Sequence, residues 1–230
     1  MGAHARDHVI HNLAGLQLGR RTTDIDFAVA VPSNEEFRER TKSLTPLSDS
    51  GMSFSIRKFA VDLIPFRKDR PVIITEITPG VLMDTTGIAE AFTTATPLDQ
   101  EHPWLRLPTL QAMIVLKTVA WRMRRSEVDK DATDLGLLLD CVSQGVFADR
   151  CFEDGELLER FEGDPDLVGA HLTGRDIAQD LPAAAKACHD EWLDARLVSS
   201  STREPLRRQQ IRAQLEALHH GWSEATVTTP

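Results

Sequence analysis

The chain has 230 residues, of which 41% are hydrophobic and 27% are charged, and its formal net charge is −9. This composition is ordinary for one large or two modest globular domains. The negative charge argues against a surface that coats nucleic acid broadly, although a local basic patch is still compatible with it. Three scattered cysteines without zinc-ligand spacing (Cys141, Cys151 and Cys188) are typical of reduced thiols, so we expect a cytoplasmic protein. The N-terminus lacks the apolar core of a signal peptide, and no uncharged run approaches the roughly 20 residues of a membrane span, so we expect no membrane partner.

The first hundred residues alternate between strand and helix patterns. Residues 3–14 contain no helix breaker and predict a short helix, and "DIDFAVAV" (24–31) predicts a strand. Pro32, Ser33 and Asn34 are start signals for a helix over 32–44, with acidic residues in its first turn. A turn at "SDSG" (48–51) precedes one or two strands over 52–66, and "PVIITEI" (71–77) predicts another strand.

The remainder of the chain has helical patterns. Residues 108–125 predict a helix with Pro108 at its first position, and 131–144 predict a second. Further helices are expected over "DLVGAHL", "GRDIAQDL" and 182–197, followed by a linker over 198–205. The last segment carries one apolar stripe (Ile211, Leu215, Leu218 and Trp222) with Gly221 near its expected end. We therefore predict three parts, over 1–100, 101–197 and 198–230.

The pattern Asp-x-Asp occurs three times, and its context differs each time. "GDPDL" (163–167) is expected to be a loop, and "EVDKDATD" (127–134) is a charged helix start. Only Asp24 and Asp26 lie in a predicted strand, where alternation puts both carboxylates on one face. Two adjacent carboxylates repel each other unless they share a cation, and Mg²⁺ binds such groups together with phosphates.

A third acid, Asp62, lies in the apolar stretch "FAVDLIPF". If its strand neighbours the first, three carboxylates converge and could hold two metal ions. The alternative is that the acids lie on a solvent-facing strand edge and oppose aggregation there.

Lys117 is the one charged residue of "MIVLKTVAW", so its side chain must extend to solvent or meet an anion. Asp131 and Asp134 share a face of the next predicted helix, and they could equally be ordinary acids at a helix N-terminus. The basic cluster "WRMRR" (121–125) could contact a nucleic acid such as tRNA, or it could be a solvated helix end.

Four blocks occur together over residues 2–144: a glycine and small residue at a helix start, "RRTTDIDFAV", "FAVDLIPF", and a helix with a lysine followed by "DKDATD". In this order they resemble the nucleotidyltransferase superfamily, and more narrowly the AbiEii/MenT-type nucleotidyltransferases of toxin–antitoxin and phage-defence systems. The resemblance implies an α+β fold, with a small mixed β-sheet and flanking helices followed by an α-helical domain.

The resemblance also implies roles for individual residues. Asp24 and Asp26 would bind the Mg²⁺ or Mn²⁺ ion that holds the nucleotide triphosphate, and Asp62 would be the third carboxylate or the general base. Lys117 would reach the triphosphate. Asp131 and Asp134 would complete the site or orient the lysine. Thr23 and the Arg20–Arg21 pair would border the phosphates. Gly2 and Ala3 would offer backbone N–H groups to the phosphates.

The implied activity is transfer of an NMP from an NTP to a hydroxyl group of an acceptor, either tRNA or a protein, by a toxin with a cognate antitoxin. Two other hypotheses stay open. Gly2 is followed by alanine where the superfamily usually has serine or glycine, so the chain could be a catalytically degenerate binding or partner module. It could also be a nucleotidyltransferase of small molecules, of the aminoglycoside-modifying type.

Overall fold

The computed structural model describes residues 2–17, 22–69, 74–78, 80–127 and 129–228, and these have a mixed α/β fold. The strands are β1 (Asp24–Ala30), β2 (Thr45–Pro46), β3 (Ser53–Ile56), β4 (Phe59–Phe66), β5 (Ile74–Thr78), β6 (Val81–Asp84), β7 (Thr96–Pro97) and β8 (Arg106–Leu107). The α-helices are α1 (Ala3–Asp7), α2 (Asn34–Thr41), α3 (Ile88–Thr94), α4 (Leu110–Arg124), α5 (Lys130–Leu139), α6 (Gly155–Arg160), α7 (Pro165–Asp180), α8 (Pro182–Cys188), α9 (Ala195–Ser201) and α10 (Pro205–Thr228). A π-helical segment (His8–Leu13) continues α1, and 3₁₀ turns occupy Gly145–Phe147, Asp149–Phe152 and His189–Leu193.

The largest sheet has the strand order β1-β4-β3-β2. β1 runs parallel to β4, whereas β2 and β3 pair antiparallel with their neighbours. The strand predicted over 24–31 is confirmed, and the stretch 52–66 forms two strands joined by a tight turn. Arg57 in that turn has a positive φ of 57°, which closes the hairpin without glycine. The smaller pairs β5–β6 and β7–β8 are separate from this sheet.

The two faces of the large sheet are covered differently because side chains alternate along each strand. On one face, Ala28, Ala30 and Ile64 pack against the main core. On the other face, Val29 and Leu63 pack around the buried ring of Phe37 on α2. Asp24 and Asp26 are four and two residues before Ala28, so they share the face that looks toward the main core.

Helix α4 runs through the main core. The Thr109 hydroxyl accepts the N–H of Ala112 at 3.3 Å and caps the helix, so the prediction that Pro108 occupies its first position is wrong. Thr109 is the N-cap residue because its hydroxyl can accept one of the free N–H groups of the first turn, which the proline side chain cannot do. The main core joins residues from Ala5 to Leu218 and so draws on all three predicted parts of the chain. The boundaries at 100 and 197 stay a prediction.

The sequence patterns did not predict β6 or α3. β6 pairs antiparallel with β5, which confirms the strand expected around "PVIITEI" as far as it lies within the described residues. Gly87 begins α3 with a positive φ of 82°, and a Cβ atom there would lie 3.1 Å from the Cβ of Ala184. Both elements pack beside α4, where they shape one wall of the groove discussed below.

Two local predictions in the helical part are wrong. "GDPDL" is a helix start rather than a loop, because the Asp164 carboxylate accepts the N–H groups of Asp166 and Leu167 and Pro165 opens α7. Proline at this position loses no hydrogen bond, since the first N–H groups of a helix have no partner within it. The linker expected over 198–205 is mostly helical, because α9 continues to Ser201. "DLVGAHL" and "GRDIAQDL" belong to this single helix α7.

Helices α7 and α10 cross very closely. A Cβ atom on Gly174 would lie 2.0 Å from the carbonyl oxygen of Leu218, and one on Gly221 would lie 2.0 Å from that of His171. Gly221 therefore serves the crossing and does not end its helix, as the sequence suggested, because α10 runs on to Thr228. Among the helices of the described residues, none is both long enough and apolar enough to cross a bilayer.

Candidate functional site

Three carboxylates meet on one face of the large sheet. The parallel register of β1 and β4 pairs Asp26 with Asp62 and Asp24 with Ala60. Since alternate residues share a face, Asp24 lies on the same side as this pair. Carboxylate oxygens of all three lie within 4.8 Å of one another, and all three residues are half-buried. The predicted convergence of the three acids is thus present in the structure.

The acids repel one another in this arrangement. Burial, together with the charges of Asp24 and Asp62, raises the pKa of Asp26 above its ordinary value. A carboxylate whose charged form is disfavoured in this way is stabilised by a cation. Carboxylate oxygens are the ligands that Mg²⁺ and Mn²⁺ prefer, so the donor set fits either ion.

Gly2 packs directly against this cluster. A Cβ atom at Gly2 would lie 1.6 Å from Oδ2 of Asp26, which is impossible without moving the carboxylate. Glycine is therefore required at this position for the close approach of the two chain segments. The neighbouring Ala3 is buried at the start of α1.

Lys117 projects from α4 into a buried ionic network. Its ammonium donates to Asp131 at 3.1 Å and to Asp134 at 2.7 Å. Arg6 of α1, which is fully buried, donates to the other oxygen of Asp134 at 2.6 Å. Arg124 pairs with the other oxygen of Asp131. The two aspartates on α5 therefore hold Lys117 in place, as the resemblance had suggested.

The cations of this network fix the charge state of Asp134. Burial alone would raise the pKa of Asp134, but the charges and hydrogen bonds of Lys117 and Arg6 outweigh it and lower that pKa. Asp134 is consequently an anion at neutral pH. An ammonium has three N–H donors, so the two bonds of Lys117 leave one for a ligand.

Asp26 of the carboxylate cluster and Lys117 line one polar cleft with a volume of about 110 Å³. Its lining includes Gly2, Ala3 and Asp26 on one side and Lys117, Arg124, Lys130 and Asp131 on the other. A cation bound by the acids and the positive side chains of α4 and α5 would therefore face the same ligand. Such a combination suits a polyphosphate, whose oxygens bind metal ions and ammonium or guanidinium groups together.

The structure gives less support to the roles expected of Thr23 and of the Arg20–Arg21 pair. Thr23 is exposed just before β1, whereas its neighbour Thr22 donates a hydrogen bond to the carboxylate of Asp24. The Arg20–Arg21 pair lies outside the described residues. Sequence reasoning missed Arg6 and Lys130; the only signal for Arg6 was a charged residue in a short helix, and its partner is 128 positions away.

The basic cluster "WRMRR" is largely paired within the chain. Arg122 contacts Asp84 at 2.8 Å, and Arg125 contacts Glu191 at 3.3 Å. Together with the Arg124–Asp131 pair, these contacts compensate most of the positive charge that had suggested a nucleic-acid surface. The cluster therefore has a structural role in joining α4 to its neighbours.

A second group with metal-ligating side chains lies between α7 and α10. Atoms of His171, His220 and Glu224 come within 4.8 Å of one another. Here, however, two guanidinium groups already neutralise the acid, because Arg160 contacts Glu224 at 2.9 Å and Arg175 contacts it at 3.5 Å. Two fixed cations beside a single carboxylate oppose a metal ion, so this group is better explained as an ion-pair network that joins the two helices.

Comparisons with known proteins add no family assignment. No protein-family model matches the chain, and neither a curated protein nor a solved structure matches it. The candidate site therefore depends on the residues and geometry of this chain alone.

Proposed function

We propose that this protein is a metal-dependent nucleotidyltransferase that moves an NMP from an NTP to a hydroxyl group of an acceptor. The observation that carries the proposal is the convergence of Asp24, Asp26 and Asp62 within 4.8 Å of one another, together with a cleft that both Asp26 and Lys117 line. Acids for a divalent cation and a lysine for phosphate oxygens are the parts that this chemistry requires, since the protein mainly positions groups and neutralises charge.

In the proposed reaction, the acceptor oxygen attacks the α-phosphorus of the NTP, the bond from that phosphorus to the bridging oxygen of the β-phosphate breaks, and pyrophosphate leaves. A divalent ion bound by Asp24 and Asp26 would neutralise phosphate charge and activate the attacking oxygen. Asp62 lies beside Asp26 and would take the proton of the acceptor hydroxyl or bind a second ion. The third N–H of Lys117 would bind the departing phosphates. The choice of tRNA or protein as acceptor, and a toxin role with an antitoxin partner, depend on the sequence resemblance alone.

One observation favours a second function, that of a nucleotide-binding module without turnover. Lys117 already donates to two buried carboxylates, Asp131 and Asp134, so two of its three N–H groups are engaged before any ligand arrives. A lysine held in this way stabilises the fold and contributes less to a reaction. Such a module would bind Mg²⁺ and NTP through the same cleft but would release the NTP intact.

Two differently labelled nucleotides separate these functions. The protein is incubated with Mg²⁺, total RNA and a protein extract, once with NTPs labelled at the α-phosphate and once with NTPs labelled at the γ-phosphate. We expect the α-label to enter an acceptor and the γ-label to appear in pyrophosphate. The double variant Asp24→Asn/Asp26→Asn should transfer nothing, whereas Asp49→Asn, which removes an exposed acid, should transfer normally.

The other outcomes are equally informative. Binding of Mg·NTP that depends on the two aspartates, without transfer of either label, supports the binding module. Transfer of the γ-label to an acceptor indicates a kinase and contradicts the proposal. A wild-type protein that neither binds Mg·NTP nor transfers label refutes both functions.

A further inference from the structure

An apolar groove adjoins the polar cleft along α4. The groove is lined by Leu116, Val119, Ala120 and Met123, which follow the i, i+3, i+4, i+7 spacing of one helix face. Lys117, Ala120 and Arg124 of the same helix line the cleft. Leu116, Ala120 and Arg124 border both cavities, so the cleft and the groove are neighbours along this helix.

The opposite wall of the groove comes from β6 and the start of α3, with Leu82, Met83, Thr86 and Ile88. The groove has a volume of about 310 Å³, within the range of small-molecule sites. Its mouth carries two apolar side chains that face solvent, since Leu82 is 64% exposed and Met123 is 46% exposed. Exposed apolar groups that line a concave site are typical of ligand binding.

The groove contains few polar groups that could form hydrogen bonds with the edge of a ligand. Its carboxylate, Asp84, is engaged in hydrogen bonds within the protein. It accepts one from Arg122 at 2.8 Å and one from the backbone N–H of Thr86 at 2.9 Å. The remaining surface is mostly aliphatic and thioether. Methionine side chains adapt to different flat or irregular partners, so the groove favours apolar contact over a hydrogen-bonding pattern.

We propose that this groove takes the base of the nucleotide whose phosphates lie in the adjoining cleft, and that it accepts purines and pyrimidines alike. The inference rests on the proposed function and deepens it by assigning the base subsite and the breadth of NTP use. A nucleotide joins an anionic chain through a ribose to a flat, weakly polar ring. This is the order in which the carboxylates, the cations of α4 and the apolar groove follow one another.

Inorganic tripolyphosphate is the probe that separates the two subsites, because it has the phosphates without a base. Equilibrium binding of Mg·tripolyphosphate, Mg·ATP, Mg·GTP, Mg·CTP and Mg·UTP is measured with wild-type protein. It is repeated with the double variant Leu82→Asn/Met123→Asn, which removes apolar contacts at the mouth of the groove without adding charge. The matched control is Leu206→Asn, which changes an apolar residue that is 76% exposed on α10.

We expect every NTP to bind wild-type protein about tenfold more tightly than tripolyphosphate, equivalent to about 1.4 kcal/mol, with less than about fivefold difference among the bases. The groove variant should lose most of this advantage and bind tripolyphosphate as wild type does. The control variant should bind all five ligands normally.

Three results would overturn the inference. The groove variant could retain full NTP affinity while transfer to the acceptor falls, which would assign the groove to the acceptor. One base could bind more than about tenfold better than the others, which would contradict broad acceptance. Wild-type protein could bind tripolyphosphate as tightly as NTPs, which would refute the base subsite and leave the metal–phosphate site standing. Failure to bind any of the five ligands would instead refute the proposed function, and this inference with it.

Discussion

Replacing Asp26 with asparagine should have opposite effects on stability in the absence and in the presence of Mg²⁺. Asp26 has two carboxylate neighbours with oxygens within 4.8 Å. At that distance two charges repel by about 3.5 kcal/mol at an effective dielectric of about 20 and by about 0.9 kcal/mol in bulk water. Because all three acids are half-buried, we expect the metal-free variant to gain about 1–3 kcal/mol in free energy of unfolding. This corresponds to roughly 2–4 °C in Tm for each kcal/mol at this chain length.

Saturating Mg²⁺ should reverse the order of stability. A ligand at one thousand times its Kd stabilises a protein by about 4.1 kcal/mol, which exceeds the gain expected for the metal-free variant, and this stabilisation requires the intact carboxylates. Thermal unfolding of wild type and variant, each with EDTA and with excess Mg²⁺, therefore gives four midpoints whose order is predicted. The control Asp49→Asn removes the same charge at an exposed position and should not respond to Mg²⁺ differently from wild type.

The pH dependence checks the cause of this effect. Burial and the neighbouring anions raise the pKa of folded Asp26 above its unfolded value, so the folded state holds this proton more tightly. The destabilisation is therefore absent at acid pH, where Asp26 is protonated, and grows as pH rises through the raised pKa. The metal-free variant should match wild type at low pH and exceed it at neutral pH. A variant that is less stable than wild type in EDTA at pH 7 would refute mutual repulsion of the acids.

Three further substitutions test the parts around the cluster. Gly2→Ala places a Cβ atom 1.6 Å from Oδ2 of Asp26, so it should weaken Mg²⁺ binding at least about tenfold in a calorimetric titration while the chain stays folded. Lys117→Met removes one cation from two buried aspartates and should lower the free energy of unfolding by about 3 kcal/mol in urea titrations. An unchanged free energy of unfolding would show that these ion pairs do not stabilise the fold. Gly174→Ala forces a Cβ atom to 2.0 Å from the carbonyl oxygen of Leu218 and should cost at least about 2 kcal/mol by the same method, with Gly155→Ala, which has open space, as its control.

Local patterns predicted the elements that bear the site. Strand periodicity placed Asp24 and Asp26 on one face of β1, and the observed strand and its register with β4 agree with that placement. The errors arose where one residue type serves two purposes. Proline and aspartate in "GDPDL" begin a helix as readily as they form a loop, and Gly221 permits a close helix crossing as readily as it ends a helix.

The long-range relationships could not be read from the sequence. Spacing alone does not say which strand pairs with β1, and only the parallel register with β4 brings Asp62 beside Asp26. In the same way, Arg6 reaches Asp134 because the π-helical segment that continues α1 packs against α5, and the apolar groove exists because β6 lies beside α4. The sequence by itself determined which side chains share a face of each element, since that depends on backbone periods of two and 3.6 residues. Tertiary structure alone decided which faces meet, because that depends on how the whole chain buries its apolar surface.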